Sequence, residues 1–346
     1  MDPTILLILL QDGLVNGAIY ALLALSLVLV FATTRIIFIP QGELVAFAAL
    51  SYAALNTGAL PGSVWLLCGL GLAAFATEAF RLRRTSRAKP WLRAAGLTLL
   101  PPALITALAA ILAPHKPGVV IEAALALAII TPMGPYLYRI AFQPLAEASI
   151  LTLLIAAVGV HLALLGLGLV FFGPEGFRAD TFSATALQFG QLVIQGQALW
   201  IFGLTIALML ALYAFFEATL LGRALRATAV NRLGARLVGI PIAQSGAIAF
   251  TLAAAIGALS GVLIAPLATI YYESGFLIGL KGFTAAILAG MASYPGAVLA
   301  ALLVGLVESF SAFWASAFKE VIVFTVIVPV LLWRSLRSRG AEEDEE

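Results

Sequence analysis

The sequence predicts an all-α, polytopic membrane protein of about eleven spans (nine to eleven), with the amino terminus outside and the carboxyl terminus in the cytoplasm. Composition is the first ground. Of 346 residues, 62% are apolar and only 10% charged, and the mean hydropathy is +1.09. Soluble domains are about half apolar, so a water-soluble fold of this length has nowhere to hide that surface. The second ground is that the apolar residues come in long runs rather than in ten-residue alternations. Lipid cannot satisfy unpaired backbone groups, so long runs select helices over a barrel. The third is the placement of Arg and Lys, which fall mostly on one side once the spans are laid down.

A window of about 20 residues places spans at 5–33, 40–56, 63–80, 95–113, 119–138, 149–172, 198–216, 242–270, 276–292, 296–314 and 321–333. Residues 1–4 carry no Lys or Arg, and the apolar run that follows is too long for a signal peptide and lacks its cleavage site, so it reads as a retained first span. Thr131-Pro132-Met133-Gly134-Pro135 kinks or breaks the fifth span. In the eighth, Gly257 and Gly261 form a close-packing face. The ninth is the weakest, being short, interrupted by Gly279, Gly282 and Gly290, and carrying Lys281, so a broken helix is an alternative to a full crossing there. The spans make residues 1–336 one transmembrane unit, and 337–346 read as a disordered acidic tail.

With this layout Arg35, the cluster Arg81, Arg83, Arg84, Arg87, Lys89 and Arg93, then Arg139, Arg223, Arg226, Arg232, Arg236, Arg334, Arg337 and Arg339 are cytoplasmic. Lys116, Arg178, Lys281 and Lys319 fall outside. A split of 15 of the 19 basic residues is what the positive-inside rule requires, and inverting the protein reverses it. A re-entrant ninth segment moves the three last arginines outside, so charge parity favours a crossing.

Residues 217–241 form the cytoplasmic loop richest in signals. Asn231 caps a short helix over residues 232–238, Gly239 supplies a left-handed residue after its last turn, and Pro241 forbids continuation. Leu233, Leu237 and Val238 recur at helical spacing while Arg232 and Arg236 stand one turn apart, which describes a helix lying on a surface. On pattern alone, that surface is either another protein or anionic lipid headgroups.

The run Gly222-Arg223-Ala224-Leu225-Arg226-Ala227-Thr228-Ala229-Val230-Asn231, followed by Ala235, Gly239 and Ile240, resembles the coupling segment of the LivH-type branched-chain amino acid permeases of ABC importers. Asn16-Gly17-Ala18-Ile19-Tyr20-Ala21-Leu22 looks like that family's first-span motif, and Ile37-Phe38 with Gly42-Glu43 like its second. Lys281-Gly282-Phe283-Thr284-Ala285-Ala286 with Gly290, Ser293, Pro295-Gly296-Ala297, Gly305 and Glu308 resembles its penultimate region. The motifs are in the family's order and cover most of the chain. There are departures: Phe38-Ile39-Pro40-Gln41-Gly42-Glu43 stands where the family reads Asn-Phe-Ala-His-Gly-Glu, Gly290-Met291-Ala292 replaces a Gly-Gly pair, and 60–117 looks like an inserted pair of spans joined by the basic loop 81–93.

The resemblance implies the fold of a type II ABC importer permease in a bacterial or archaeal plasma membrane. It also implies a second permease chain, paralogous or identical, ATP-binding ABC subunits that hold the ATP and Mg, and an extracytoplasmic solute-binding protein, with no nucleic acid and no cofactor in this chain. Gly222, Arg223, Ala224, Arg226, Ala227, Asn231, Arg232, Arg236 and Gly239 become the ATPase-coupling residues. The chain's own residues agree, since none of its four lysines follows a glycine and the phosphate-binding Gly-Lys-Ser/Thr signature is therefore absent.

A polar group deep in a bilayer costs about 2.5–3.5 kcal/mol if charged and so usually faces protein or a water-filled cavity. Asn16, Glu43, Lys281 and Glu308 meet that description and become candidates for the translocation path. Each has a plainer reading: Asn16 as an interhelical hydrogen-bonding group, Glu43 as a carboxylate complementing a helix dipole, and Lys281 and Glu308 as side chains snorkelling to the headgroups. His161, in the sixth span, reads as an interhelical partner rather than a proton relay. The rival function is a secondary transporter driven by an ion gradient. An intramembrane enzyme finds no support, because there is no His-Glu-x-x-His pair and the lone Cys68 lies in an apolar run.

Overall fold

The computed structural model describes residues 2–83, 88–183, 185–189 and 192–332. Its helices are α1 (Pro3–Thr34), α2 (Gln41–Thr57), α3 (Ser63–Leu82), α4 (Ala88–Thr98), α5 (Leu100–Leu112), α6 (Val119–Ile130), α7 (Met133–Leu137) and α8 (Ile150–Phe172). A hairpin of β1 (Ala186–Phe189) and β2 (Leu192–Gln195) precedes α9 (Gly196–Ala218), α10 (Leu220–Val230) and α11 (Arg232–Leu237). The chain continues through α12 (Ile242–Ile264), α13 (Ser274–Leu288), α14 (Tyr294–Trp314) and α15 (Lys319–Thr325).

Eight helical stretches among the described residues are long and apolar enough to cross a membrane: α1, α3, Pro90–His115, Val119–Leu145, α8, α9, α12 and α14. The second, ninth and eleventh predicted spans fall on the shorter helices α2, α13 and α15. For the first two of these, burial explains the shortness. Only lipid-facing helices must match the hydrocarbon thickness along their whole length, and α2 and α13 pack inside the bundle against α1, α12 and each other. Around this centre, α3, α8 and α9 bury only a minority of their residues and supply the lipid-facing rim.

Close backbone approach builds the centre. A Cβ on Gly42 would lie 2.0 Å from the Gly275 carbonyl oxygen, so α2 and α13 touch where neither has a side chain. A Cβ on Gly261 would lie 2.1 Å from the Val45 carbonyl oxygen and one on Gly257 2.6 Å from Gln41 Nε2. The predicted close-packing face of the eighth span is thus the surface of α12 that receives α2.

Several predicted boundaries change. Pro132 divides the fifth predicted span into α6 and α7, followed by a π turn over Tyr138–Phe142. The eighth stops at Ile264 rather than at residue 270, because Pro266 cannot donate to a continuing helix. Beyond it, Ile270 forms an antiparallel bridge with Phe177, with N–H to O distances of 2.8 and 2.9 Å. Helix α13 runs unbroken through Gly279 and Gly282 but ends at Leu288, where Gly290 and Met291 turn the chain with φ of 71° and 54°. The β1–β2 hairpin was not foreseen in an all-α reading; it folds within the connection between α8 and α9, pairing Ala186 with Gln195 and Leu187 with Ile194.

In the region 60–117, α3 and the α4–α5 stretch pack against one another at the edge of the bundle. Part of the basic loop 81–93, the last three arginines and the acidic tail 337–346 lie outside the described residues.

Candidate functional site

Helix α9 ends at Ala218 and the chain folds back at once. Thr219 takes extended φ and ψ, and its hydroxyl accepts a hydrogen bond from Gly222 N–H at 2.9 Å, capping α10. A Cβ on Gly222 would lie 2.2 Å from the Phe215 carbonyl oxygen, so this fold-back needs glycine there. The inner face of α10 buries Gly222, Leu225 and Thr228, and Thr228 Oγ1 donates to Ser245 Oγ on α12 at 3.4 Å. Arg223, Arg226 and Ala227 stand exposed on the outer face, with Ala224 between, and Arg226 pairs with Glu217 at 2.8 Å.

Asn231 then breaks the helix with an extended backbone and starts the next one, its Oδ1 accepting from Gly234 N–H at 2.9 Å. The end is also as predicted, one residue early. Gly239 is left-handed at φ 87°, and the Ile240 N–H returns to the Ala235 carbonyl at 2.9 Å. Ala235 is buried, and Arg232 Nη1 donates to the Thr34 carbonyl at the end of α1 at 3.4 Å. The outward side carries Val230, Leu233, Leu237 and Val238, each at least 70% exposed, beside the exposed Arg236. Residues 220–230, expected as loop, form helix α10, so the residues predicted for coupling lie along two short helices joined at Asn231 and in the turn at Gly239, anchored to α1, α9 and α12. Between α1, α9, α10 and α14 this arrangement encloses a mainly apolar cavity of about 690 Å³, with Arg35 and Arg226 among its lining residues.

Comparison with known proteins adds to this geometry. A family model described as the permease component of branched-chain amino acid transport systems matches residues 9–331. The chain belongs to that family. The BraD permease protein of the high-affinity branched-chain amino acid transport system of Pseudomonas aeruginosa is 33% identical over 220 residues, which is 62% of this chain and 72% of that protein. The LivH protein of Escherichia coli K12 is 32% identical over 230 residues, 64% of this chain and 74% of its own. A probable LivH permease protein of Methanocaldococcus jannaschii is 28% identical over 186 residues, 52% and 59% of the two chains.

Within this permease the intramembrane candidates fall into separate networks. Lys281 on α13 and Glu308 on α14 meet at 2.5 Å, both more than 90% buried, so neither snorkels outward. Tyr20 of α1 donates its hydroxyl to the other Glu308 oxygen, and Glu320 of α15 lies 3.2 Å from the Lys281 ammonium. This cluster therefore ties four helices together. Glu43 sits in the first turn of α2, where a carboxylate complements the dipole, and is also 2.7 Å from His161 Nδ1 on α8, with Phe276 packed over the imidazole. Asn16 is partly buried on α1, one turn before Tyr20, and the structure brings it to neither pair.

Three participants escaped the sequence reading. Glu122 of α6 is buried and accepts from the Asn56 amide, although the rule that selected Glu43 applied equally to a carboxylate inside an apolar run. Tyr20 stood in the first-span motif, but nothing local marked its hydroxyl as a partner of residue 308. Glu320 lies just before the predicted span 321–333, where a charge draws no notice.

Proposed function

We propose that this permease is the membrane-spanning subunit of an ATP-driven importer for branched-chain amino acids or related small polar solutes, and that α10 and α11 are the surface through which a separate ATPase drives it. The observation that carries this reading is the α10–α11 unit itself. It presents three arginines and four apolar side chains outward, with Arg226 and Arg236 held only by the solvent-exposed pairs to Glu217 and Glu147, while its inner face is bonded to α1 and α12. A rigid unit that is fixed to the spans on one side and open on the other passes motion from a docked motor to the bundle. ATP and Mg reside on that motor, and the fourth arm of the assembly is a binding protein that delivers solute from outside.

In this reading a second permease chain, a paralogue or another copy, completes the pathway in a bacterial or archaeal plasma membrane. The amino terminus is outside and α10–α11 lies in the cytoplasm, and 60–117 is a two-span addition to the family's common core. Asn16, Glu43, Lys281 and Glu308 act at or beside the path, holding the helices that must move.

Replacing Arg223 and Arg226 with Glu tests the coupling role. The Arg226–Glu217 pair is half exposed and contributes little to folding, so the variant should insert normally and lose ATP-coupled uptake by reconstituted complexes. Unchanged uptake would overturn the role of α10. The buried Glu43–His161 pair is the feature that suits a proton-driven transporter instead. Uptake that continues without the ATPase and collapses with the proton gradient would select that reading.

A further inference from the structure

A second cavity, of about 700 Å³, opens where α3 ends and α8 and α12 begin. Arg81 from the last turn of α3 and Arg232 and Arg236 from α11 line it, together with Tyr138 and Gln143 from the turns before α8. Among the described residues Glu147 is the one carboxylate in the lining, so three positive charges face one negative. The contacts these arginines already make are loose. Arg236 lies 3.6 Å from Glu147, Arg81 3.9 Å from Glu78, and Arg232 donates to Thr34 O at 3.4 Å. A guanidinium carries five N–H donors in a planar fork that matches phosphate oxygens, so most of this donor capacity is unused.

The cavity lies at the level where spans start and stop, which is the headgroup level of a bilayer. Apolar side chains flank it in sequence and face outward: Phe80, next to Arg81, and Ile150 and Leu151, at the start of α8, are all at least 50% exposed. A phosphate with acyl chains attached satisfies both the guanidiniums and this apolar rim, whereas a soluble phosphate satisfies only the first.

We propose that this cavity is a phosphate-binding site occupied by the headgroup of an anionic phospholipid. The site links the α3 end of the 60–117 pair to α11, and so places a lipid against the element assigned to coupling. The cavity shares Arg232 and Arg236 with that element, whereas Arg223 and Arg226 do not line it.

The test uses the purified full-length chain without an ATPase, so a negative result leaves the coupling reading untouched. Phosphatidylglycerol retained per chain is measured by native mass spectrometry in neutral detergent, against phosphatidylcholine, with inorganic phosphate titrated in a second arm. Arg81→Gln with Arg236→Gln should weaken retention on the order of thirtyfold, since each basic group near an anionic surface contributes roughly a fivefold factor. Glu147→Gln should strengthen it, because the competing carboxylate is gone. Arg223→Gln with Arg226→Gln removes the same charge elsewhere and should leave retention unchanged. Inorganic phosphate binding that depends on Arg81 and Arg236, with no preference between the two lipids, would keep the phosphate site and overturn its lipid occupant. Equal loss in both double variants, or no arginine-dependent binding of either probe, would overturn the site.

Discussion

Lys281 shows what a single side chain does in this fold. Its ammonium is more than 90% buried, and its desolvation is offset by Glu308 at 2.5 Å and Glu320 at 3.2 Å. Removing one member of a buried pair leaves the other uncompensated, at roughly 3–5 kcal/mol, whereas replacing both with apolar groups is often close to neutral. Lys281→Met should therefore destabilise the protein by about that amount, and Lys281→Met with Glu308→Leu should recover most of the loss, as read from unfolding in detergent. If the double variant is no more stable than the single one, the pair does not set stability here. Both residues were legible as ionisable groups inside apolar runs. Their pairing was not, because 27 positions separate them on different helices, and 118 separate Glu43 from His161. Periodicity carries information over one or two turns of helix and none over such distances.

At the scale of an element, α11 and α10 differ instructively. Helix α11 was legible because its signals are local: an Asn231 cap, a left-handed Gly239 and a proline two residues later. Asn231→Ala removes the bond to Gly234 N–H and should cost about 1 kcal/mol of α11 stability. Coupled uptake should fall partially while the amount of inserted protein stays constant, and proteolysis near Leu237 should speed up; unaltered cleavage and uptake would show that the cap is not what holds α11 in place. Helix α10 lacks a boundary of its own in the sequence, because its cap, Thr219, is also the residue that ends α9. What makes it a helix is tertiary: Leu225 and Thr228 have α1, α9 and α12 to pack against. Similarly, α2 and α13 are legible as the second and ninth spans, but that they meet through Gly42 and Gly275 in the centre of the bundle is not.

For the molecule as a whole, the decisive quantity is which end faces which solution. The proposed orientation puts Leu237, 80% exposed on α11, in the cytoplasm and Glu175, after α8, outside. Because Cys68 is the single cysteine, a Cys68→Ser background carrying Leu237→Cys or Glu175→Cys can be labelled with an impermeant maleimide. Intact cells should label position 175 and leave position 237 protected until the membrane is opened. The reverse pattern would end the coupling reading, since no ATPase would meet α11.

By itself the sequence determined that this is a helical membrane protein, where most of its spans lie, and which segment resembles the family's coupling segment. Those properties follow from hydropathy, charge placement and helix capping, each set by residues within a turn or a span of one another. Only the tertiary structure decided that Lys281 meets Glu308 and Glu43 meets His161, that α10 is helical, and that Arg81 shares a cavity with Arg232 and Arg236. These depend on which distant helices pack together, and in an apolar bundle that choice is made by the fit of surfaces such as Gly42 on Gly275, for which a linear pattern has no term.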